Sequence, residues 1–361
     1  MISQKTTYYL GAGASCQALP LAAKLQEDIM NFIDVFNPFI GSSIGPTIKF
    51  SKEVYKRYLD SLDGIDGYPS IDTYAKALHV RQDKSKLETF TEILNIYLVF
   101  KQFNWTSILG NSSQYHSDKF KLSFKGLQDS RYLGLISKLY SNNEINDYVS
   151  IVSWNYDIQL ELAIMKFLDL DYCAVCDRLK TYPHDHKGAY SVDRKSPRIV
   201  KLNGTTGLWI DKDRSAYSQL IHGNPVLKSN LDLPQLFQFA DQGDYLQSTV
   251  GFAWDQSVMQ QYALASANRL ICETETLVVI GYSFPDFNWE IDRAVFFNNN
   301  VKEVFIQVPE ADYKHYAAKV KNLVNPNTRI EHVGLLNEFY LPIHNKKNET
   351  QFLGAMKMIR N

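Results

Sequence analysis

Along the chain, short runs of apolar residues end in glycine, asparagine, aspartate or serine, and stretches with helical spacing lie between them. Several runs are apolar at nearly every position, as at 277–280 and 304–306. Such runs are typical of strands that are buried on both faces of a parallel sheet. The predicted strands are 6–11, 148–154, 172–175, 199–203, 276–282, 301–308 and 328–333.

Apolar residues three and four positions apart predict helices after most of these strands, at 19–36, 158–168, 288–297 and 311–323. Alternating strands and helices predict an α/β fold, a Rossmann-like doubly wound parallel sheet that binds ligands beyond the carboxyl ends of its strands. Between these units the pattern becomes purely helical, at 51–62, 71–80, 86–100 and 126–140. We therefore predict a Rossmann-like domain from residues 1–38 and 147–361, with an inserted helical lobe at 39–146.

Composition narrows the class of protein. The 361 residues are 45% hydrophobic and 21% charged, which is enough to bury a large core. With 38 basic and 39 acidic side chains, no overall field attracts nucleic acid or a membrane surface, and we expect neither as a direct partner. Four scattered cysteines, no signal-peptide layout and no apolar run of about 18 residues favour a cytoplasmic location.

The segment 8–15, Tyr-Tyr-Leu-Gly-Ala-Gly-Ala-Ser, carries the clearest motif. An apolar strand breaks at two glycines, and helical spacing follows, so backbone N–H groups and a helix dipole are predicted to face a phosphate. Cys16 replaces the third glycine of the dinucleotide fingerprint, and Asp34, about 20 residues on, falls within a predicted helix. The alternative is an ordinary glycine-rich turn. We name this segment the glycine turn; its residues are Gly11, Ala12, Gly13, Ala14 and Ser15.

Three further strand ends are polar: 153–157 (Ser-Trp-Asn-Tyr-Asp), 201–205 (Lys-Leu-Asn-Gly-Thr) and 281–286 (Gly-Tyr-Ser-Phe-Pro-Asp). The carboxyl ends of parallel strands meet at one edge of a sheet, so these segments are predicted to converge with the glycine turn. Each also has a purely structural interpretation, because asparagine, aspartate and serine are common residues at helix N-termini.

In order and spacing, these four segments resemble the sirtuin superfamily and, more narrowly, the sirtuin-like NAD-cleaving proteins of bacterial antiphage defence. The resemblance spans about residues 6–286. It implies that the glycine turn cradles the NAD pyrophosphate and that Asn155 and Asp157 face the nicotinamide ribose. It also implies that the adenosine half is contacted by Gly281, Ser283 and Asp286.

The activity implied by this resemblance is NAD⁺ glycohydrolysis, with NAD⁺ as the substrate and no metal. Breaking the nicotinamide–ribose bond leaves an oxocarbenium-like centre on the ribose. Asn155 would position the water that attacks this centre, and the negative charge of Asp157 would stabilise it. Family members act in antiphage defence by NAD depletion and are regulated by assembly. The implied partners are a second copy of the chain (a homo-oligomer), a HerA-type hexameric ATPase or a short Argonaute.

The chain departs from the family pattern at Asn203, where most members have a histidine that acts as a base. An amide cannot accept a proton in this way. We predict His186 as the replacement, and His184 and His222 are the alternatives. The other possibilities are slow cleavage by electrostatic stabilisation alone, or a scaffold or sensor subunit that partners an ATPase and binds NAD or ADP-ribose without cleaving it.

Two other segments have both functional and structural interpretations. Cys173 and Cys176 form one Cys-x-x-Cys pair, but no second pair completes the zinc ribbon of sirtuin deacetylases, so buried small side chains are the preferred interpretation. The absent pair also argues against protein deacylation. At 69–75, Ser70 or Asp72 is predicted to cap a helix that packs the lobe against the sheet beside the pocket.

Overall fold

A computed structural model of the protein describes residues 4–36, 43–44, 48–49, 52–103, 126–141, 144–183, 197–211, 217–219, 246–255 and 257–342. Its strands, in chain order, are β1 Thr6–Leu10, β2 Ser43–Ile44, β3 Ile48–Lys49, β4 Tyr140–Ser141, β5 Glu144–Ile145, β6 Val149–Ser153, β7 Thr181–Tyr182, β8 Ile199–Lys201, β9 Leu208–Asp211, β10 Tyr217–Gln219, β11 Leu246–Ser248, β12 Thr276–Ile280, β13 Glu303–Gln307 and β14 Arg329–Val333.

The α-helices of the described residues follow the same order. They are α1 Ala22–Phe36, α2 Lys52–Leu62, α3 Ile71–Val80, α4 Lys84–Gln102, α5 Ser130–Leu139, α6 Gln159–Leu168, α7 Tyr172–Leu179, α8 Val258–Cys272, α9 Trp289–Val295 and α10 Glu310–Lys321. None of these helices combines the length and the apolar character needed to span a bilayer.

Seven strands form one parallel sheet in the order β14-β13-β12-β1-β6-β8-β7. β1 lies at its centre: the chain continues to β6 on one side, and later returns to β12 on the other. The predicted fold class is confirmed, since helices cover both faces of a parallel sheet.

Both faces of the sheet are buried, which explains the nearly continuous apolar runs. Side chains alternate between two apolar clusters, so that Tyr8 and Leu10 belong to one cluster and Tyr9 to the other. Residues from α1 to α7 pack in the first cluster, and residues from α8, α9 and α10 pack in the second. The helices α2 to α5, predicted as an inserted lobe, therefore cover the same face as α1 and α6.

One predicted strand is wrong. Residues 172–175 lie in α7, where Asp171 caps the helix by accepting a hydrogen bond from the Ala174 N–H at 2.8 Å. The buried residues of α7 are Tyr172, Val175, Cys176 and Leu179, a spacing that places them on one face of a helix. A run of apolar residues this short does not distinguish a strand from a helix by itself, and the aspartate before it was the missed signal.

The helix predicted at 19–36 begins only at Ala22, and a 3-10 turn, Ala12–Ser15, occupies the chain directly after β1. No strand or helix is predicted at 206–261, and this stretch contains a small antiparallel sheet of order β10-β9-β11 and the start of α8. This small sheet is joined to the lobe by Asn95 of α4, whose Nδ2 donates to the Leu208 carbonyl (3.1 Å) and to Ser248 Oγ (3.0 Å).

Candidate functional site

The four polar segments predicted from the sequence meet at one edge of the parallel sheet. In the strand register, Leu10 pairs with both Ser153 and Ile280, and Ser153 pairs with Lys201. A cavity of about 230 Å³ lies beyond these strand ends. It is lined by Ala12, Ser15, Leu19, Pro20, Leu25, Ser70, Ile71, Asp72, Leu98, Trp154, Asn155, Tyr156, Asp157, Asn203, Gly281, Tyr282, Ser283, Pro285, Phe287 and Asn288.

The glycine turn packs directly against the chain after β12. The Gly11 N–H donates to the Ile280 carbonyl and the Gly13 N–H to the Gly281 carbonyl, both at 3.0 Å. A Cβ on Gly13 would lie 2.7 Å from the Gly281 Cα, and one on Gly281 would lie 2.4 Å from Gly13. Gly281 also has a φ of 62°, a conformation that favours glycine. These glycines are therefore required by contact between two backbones.

This packing changes the interpretation of the glycine turn as a phosphate cradle. The N–H groups of Gly13 and Ala14 donate to the carbonyls of Gly281 and Gly11, so they do not face a ligand. Ala12 and Ser15 are the members of the turn that line the cavity. Because α1 begins only at Ala22, its dipole does not start at the turn, contrary to the sequence-based expectation.

Ser15 links the glycine turn to the end of β6. Its Oγ accepts a hydrogen bond from Asn155 Nδ2 at 3.3 Å and lies 3.1 Å from the Tyr132 hydroxyl. Ser15 also hydrogen-bonds to Asp157. The predicted proximity of Asn155 and Asp157 to the glycine turn is thus present in the structure.

Asp157 lies above a buried ion pair. Lys201 Nζ is 2.8 Å from Glu161 Oε1 and donates to the Asp157 carbonyl (2.5 Å) and to Thr205 Oγ1 (3.2 Å). Burial raises the pKa of the Asp157 carboxyl, whereas Lys201 and the hydrogen bonds from Gln159 and Ser15 oppose that rise. Sequence reasoning missed Lys201 and Glu161 as a pair, although a charged residue within each apolar run was a visible signal.

Asn203 lines the cavity, but its side chain also joins two backbone segments. Its Nδ2 donates to the Trp154 carbonyl and its Oδ1 accepts from the Ala253 N–H, each at 2.9 Å. The Asn203 carbonyl accepts the Gly251 N–H at 2.9 Å. The amide therefore holds the chain around residue 251 against the end of β6.

The glycine turn is also held from the lobe side by Arg131 and Asp129, at the start of α5. Arg131 Nη2 donates to the carbonyls of Gly13 (3.2 Å) and Ala14 (3.1 Å), and its guanidinium pairs with the Asp129 carboxylate. Asp129 in turn accepts the Gln17 N–H at 3.2 Å. No short motif marks this clamp in the sequence, because its two sides are more than 100 residues apart.

The remaining predicted residues are placed differently. Ser283 is exposed and lines the cavity, whereas exposed Asp286 forms an ion pair with Lys319 (3.0 Å) and is not among the lining residues. His186 lies outside the described residues, as do His184 and His222. Within the described part of the chain, no group of three or more His, Cys, Asp or Glu residues could hold a metal ion.

A carboxylate from the lobe also reaches the cavity. At the start of α3, Ser70 is the cap and accepts the Thr73 N–H at 3.2 Å, while Asp72 lines the cavity. The Tyr156 hydroxyl donates to Asp72 Oδ1 at 2.9 Å. Burial raises the pKa of Asp72, and the hydrogen bond from Tyr156 partly opposes this rise. Sequence reasoning assigned the segment to packing beside the pocket and did not predict that Asp72 lines the cavity.

The floor of the cavity is aromatic. The rings of Trp154 and Tyr282 stack with centroids 5.1 Å apart. Beneath them, the hydroxyls of Tyr9 and Tyr282 donate to the buried Asp292 carboxyl at 2.7 and 3.0 Å, and Trp154 Nε1 donates to the Tyr9 hydroxyl at 2.9 Å. Burial raises the pKa of Asp292 from 3.8 to about 7.

No protein-family model matches the chain, and no curated protein matches it. Among solved structures, it is similar to one described as the structural basis for the mechanism and regulation of Sir2 enzymes, with 11% identity, a TM-score of 0.38, and coverage of 99% of this chain and 94% of the other.

Two other solved structures show similar values. A Sir2 protein bound to a propionylated peptide matches with 11% identity, a TM-score of 0.33 and coverage of 84% of this chain and 80% of the other. A Sir2 homologue with a histidine-to-asparagine substitution, in complex with ADP-ribose, matches with 11% identity, a TM-score of 0.33 and coverage of 89% and 94%. Likenesses this weak assign no ligand or activity to this chain.

Substituting Gly281→Ala is expected to destabilise the protein by about 2–5 kcal/mol, since a left-handed residue with a Cβ costs about 1–2 kcal/mol and the clash with Gly13 adds about 1–3 kcal/mol. The matched control is Gly64→Ala, because Gly64 has a φ of 80° but open space around its Cβ position. Urea unfolding of both variants measures the difference. Equal losses of free energy would contradict close packing of the two turns.

Asp292→Asn is expected to flatten the pH dependence of stability. The native pKa of about 7 lies above the ordinary aspartate value of 3.8, so the native state binds more protons between these values. The free energy of unfolding therefore falls as pH rises from about 4 to 7, by at most about 1.4 kcal/mol per pH unit from this group. Denaturant unfolding across that range tests this, with the exposed Asp66→Asn as control. An unchanged slope in Asp292→Asn would refute it.

Proposed function

We propose that this protein binds NAD⁺ at the edge of its parallel sheet and cleaves it to nicotinamide and ADP-ribose. The observation that carries the proposal is the 3.3 Å contact between Asn155 Nδ2 and Ser15 Oγ. This contact joins the end of β6 to the glycine turn within one cavity. The cavity lies at the switch point of the sheet, where β6 pairs with one side of β1 and β12 with the other. In open α/β sheets this crevice is where ligands bind.

The chemistry of the lining residues fits the two parts of the substrate. Among the described residues that line the cavity there is no lysine, arginine or histidine. A diphosphate would therefore be held by neutral donors such as the hydroxyl of Ser283, which is exposed. The cationic nicotinamide riboside would be favoured by the carboxyls of Asp157 and Asp72, which face the same space.

In the proposed reaction, the nicotinamide–ribose bond breaks and its electron pair leaves with the nicotinamide nitrogen. Water then adds to the ribosyl carbon and loses a proton. Asn155 would orient this water or the ribose; its side chain is fixed by Ser15, and only 7% of the residue is exposed. Asp157 stabilises the positive ribosyl centre in its ionised form, and a cation bound beside it lowers its pKa and favours that form.

A binding module without turnover is the second candidate function. It is favoured by Asn203, because the amide is engaged by the Trp154 carbonyl and the Ala253 N–H and supplies no base. Release of nicotinamide from NAD⁺ by the purified protein distinguishes the two functions. Bound NAD⁺ with no release in any assembly state would establish the binding module.

Asn155→Ala is expected to lower the rate of nicotinamide release by about a hundredfold or more, the usual size of effect for a polar group that acts in the transition state. Affinity for ADP-ribose is expected to change far less. Asn327→Ala, an exposed asparagine, is the control. A wild-type rate in Asn155→Ala would remove Asn155 from the mechanism.

We also propose that the activity serves antiphage defence in the cytoplasm and is controlled by assembly, either as a homo-oligomer or with a HerA-type ATPase or a short Argonaute. This proposal is supported by the resemblance in sequence alone. Bacteria producing the wild-type protein with its partner should lose NAD and restrict plaques on infection, and those producing Asn155→Ala should do neither. Equal plaque numbers with wild-type protein and with Asn155→Ala would oppose a defensive role for cleavage.

A further inference from the structure

Asp72 is a carboxylate that the lobe places in the cavity. Its Oδ1 accepts the Tyr156 hydroxyl at 2.9 Å, and its own backbone N–H also hydrogen-bonds to it. Within the described residues it forms no ion pair, whereas the carboxylate of Glu161 pairs with Lys201. A carboxylate kept in such a place is costly unless something compensates for it.

Helix capping does not account for Asp72. The α3 N-terminus is already capped by Ser70, which accepts the Thr73 N–H at 3.2 Å. The helix dipole favours a negative charge at the position of Asp72. The dipole does not require that this carboxylate face a cavity. Packing of α3 is supplied by its apolar neighbours, since Ile71, Tyr74 and Ala75 are buried.

The position of Asp72 within the cavity indicates which part of a ligand it meets. Tyr156, its hydrogen-bond partner, stands between Asn155 and Asp157 in the chain, at the end of β6. Ser283 follows β12, which is separated from β6 in the sheet by β1. An ionised carboxylate accepts hydrogen bonds and repels phosphate, so a hydroxyl-bearing group at the β6 end suits it.

At the same end of the cavity, Asn203 follows β8 but offers no free hydrogen-bond acceptor from its side chain. Both polar atoms of the Asn203 side chain bond to backbone groups, as described above. We propose that Asp72 accepts hydrogen bonds from hydroxyls of the ribose that carries the nicotinamide, and so supplies the acceptor that Asn203 does not. This inference rests on the proposed function, because it deepens the assignment of that site.

Two ligands test the proposal: ADP-ribose, which contains this ribose, and ADP, which ends in a free phosphate instead. In calorimetric titrations, Asp72→Asn should weaken binding of ADP-ribose by about ten- to a hundredfold, as expected for loss of a hydrogen bond to a charged group, and leave ADP binding unchanged. Tyr156→Phe should weaken ADP-ribose binding less, because it only removes the group that orients Asp72. The control is Asp66→Asn, an exposed carboxylate of the same lobe.

Equal weakening of both ligands in Asp72→Asn would show a merely structural role, and unchanged binding of both would show no role; either result overturns the inference. Binding of ADP-ribose does not require turnover. Failure of the inference about Asp72 can therefore be distinguished from failure of the proposed cleavage activity. Selective loss of ADP-ribose with no nicotinamide release from NAD⁺ would support Asp72 and overturn cleavage. Nicotinamide release at the wild-type rate by Asp72→Asn would overturn the inference alone. A wild-type protein that binds neither ligand would overturn both.

Discussion

Contact between two backbones, at Gly13 and Gly281, is the constraint on which the candidate site depends. A side chain on either residue would come within 3 Å of the other backbone and separate the two turns. The position of Ser15 follows from this contact, and Asn155 and Asp157 are positioned through Ser15. The alignment of the site is thus set by the main chain, which is less variable in position than side chains on loops.

Buried polar groups support the site from below on both faces of the sheet. On one face, the Lys201–Glu161 pair underlies Asp157. On the other face, Asp292 accepts hydrogen bonds from the tyrosines under the aromatic floor. Removing one member of the buried Lys201–Glu161 pair is expected to cost about 3–5 kcal/mol, because an uncompensated charge remains. These polar residues lie where the core of a parallel sheet is otherwise apolar.

The lobe contributes to the site as well as covering the sheet. Arg131 holds the carbonyls of the glycine turn, and Asp72 faces the cavity beside Tyr156. The sequence alone places the function on the strands of the parallel sheet, whereas the structure adds residues from both α3 and α5. A displacement of the lobe relative to the sheet would change the site directly.

The sequence by itself determined the class of fold and most of its elements. Strands buried on both faces, such as 276–280, leave continuous apolar runs, and α3 was predicted at the bounds that the structure shows. Because polar residues at strand ends of a parallel sheet must share an edge, the sequence also determined the convergence of Asn155 and Asp157 with the glycine turn. The short run at 172–175 was wrong because a run of four residues carries too little periodicity to separate a strand from a helix.

Only the tertiary structure decided what each polar group contacts. That Gly13 meets another glycine, that Asn203 is engaged by backbone atoms, and that Asp72 faces the cavity while Ser70 caps α3 all depend on residues distant in the chain. Local pattern reports the spacing of residues along the chain. It does not report which hydrogen-bond partner a buried group finds across the sheet, and that choice is made when the strands and the lobe pack together.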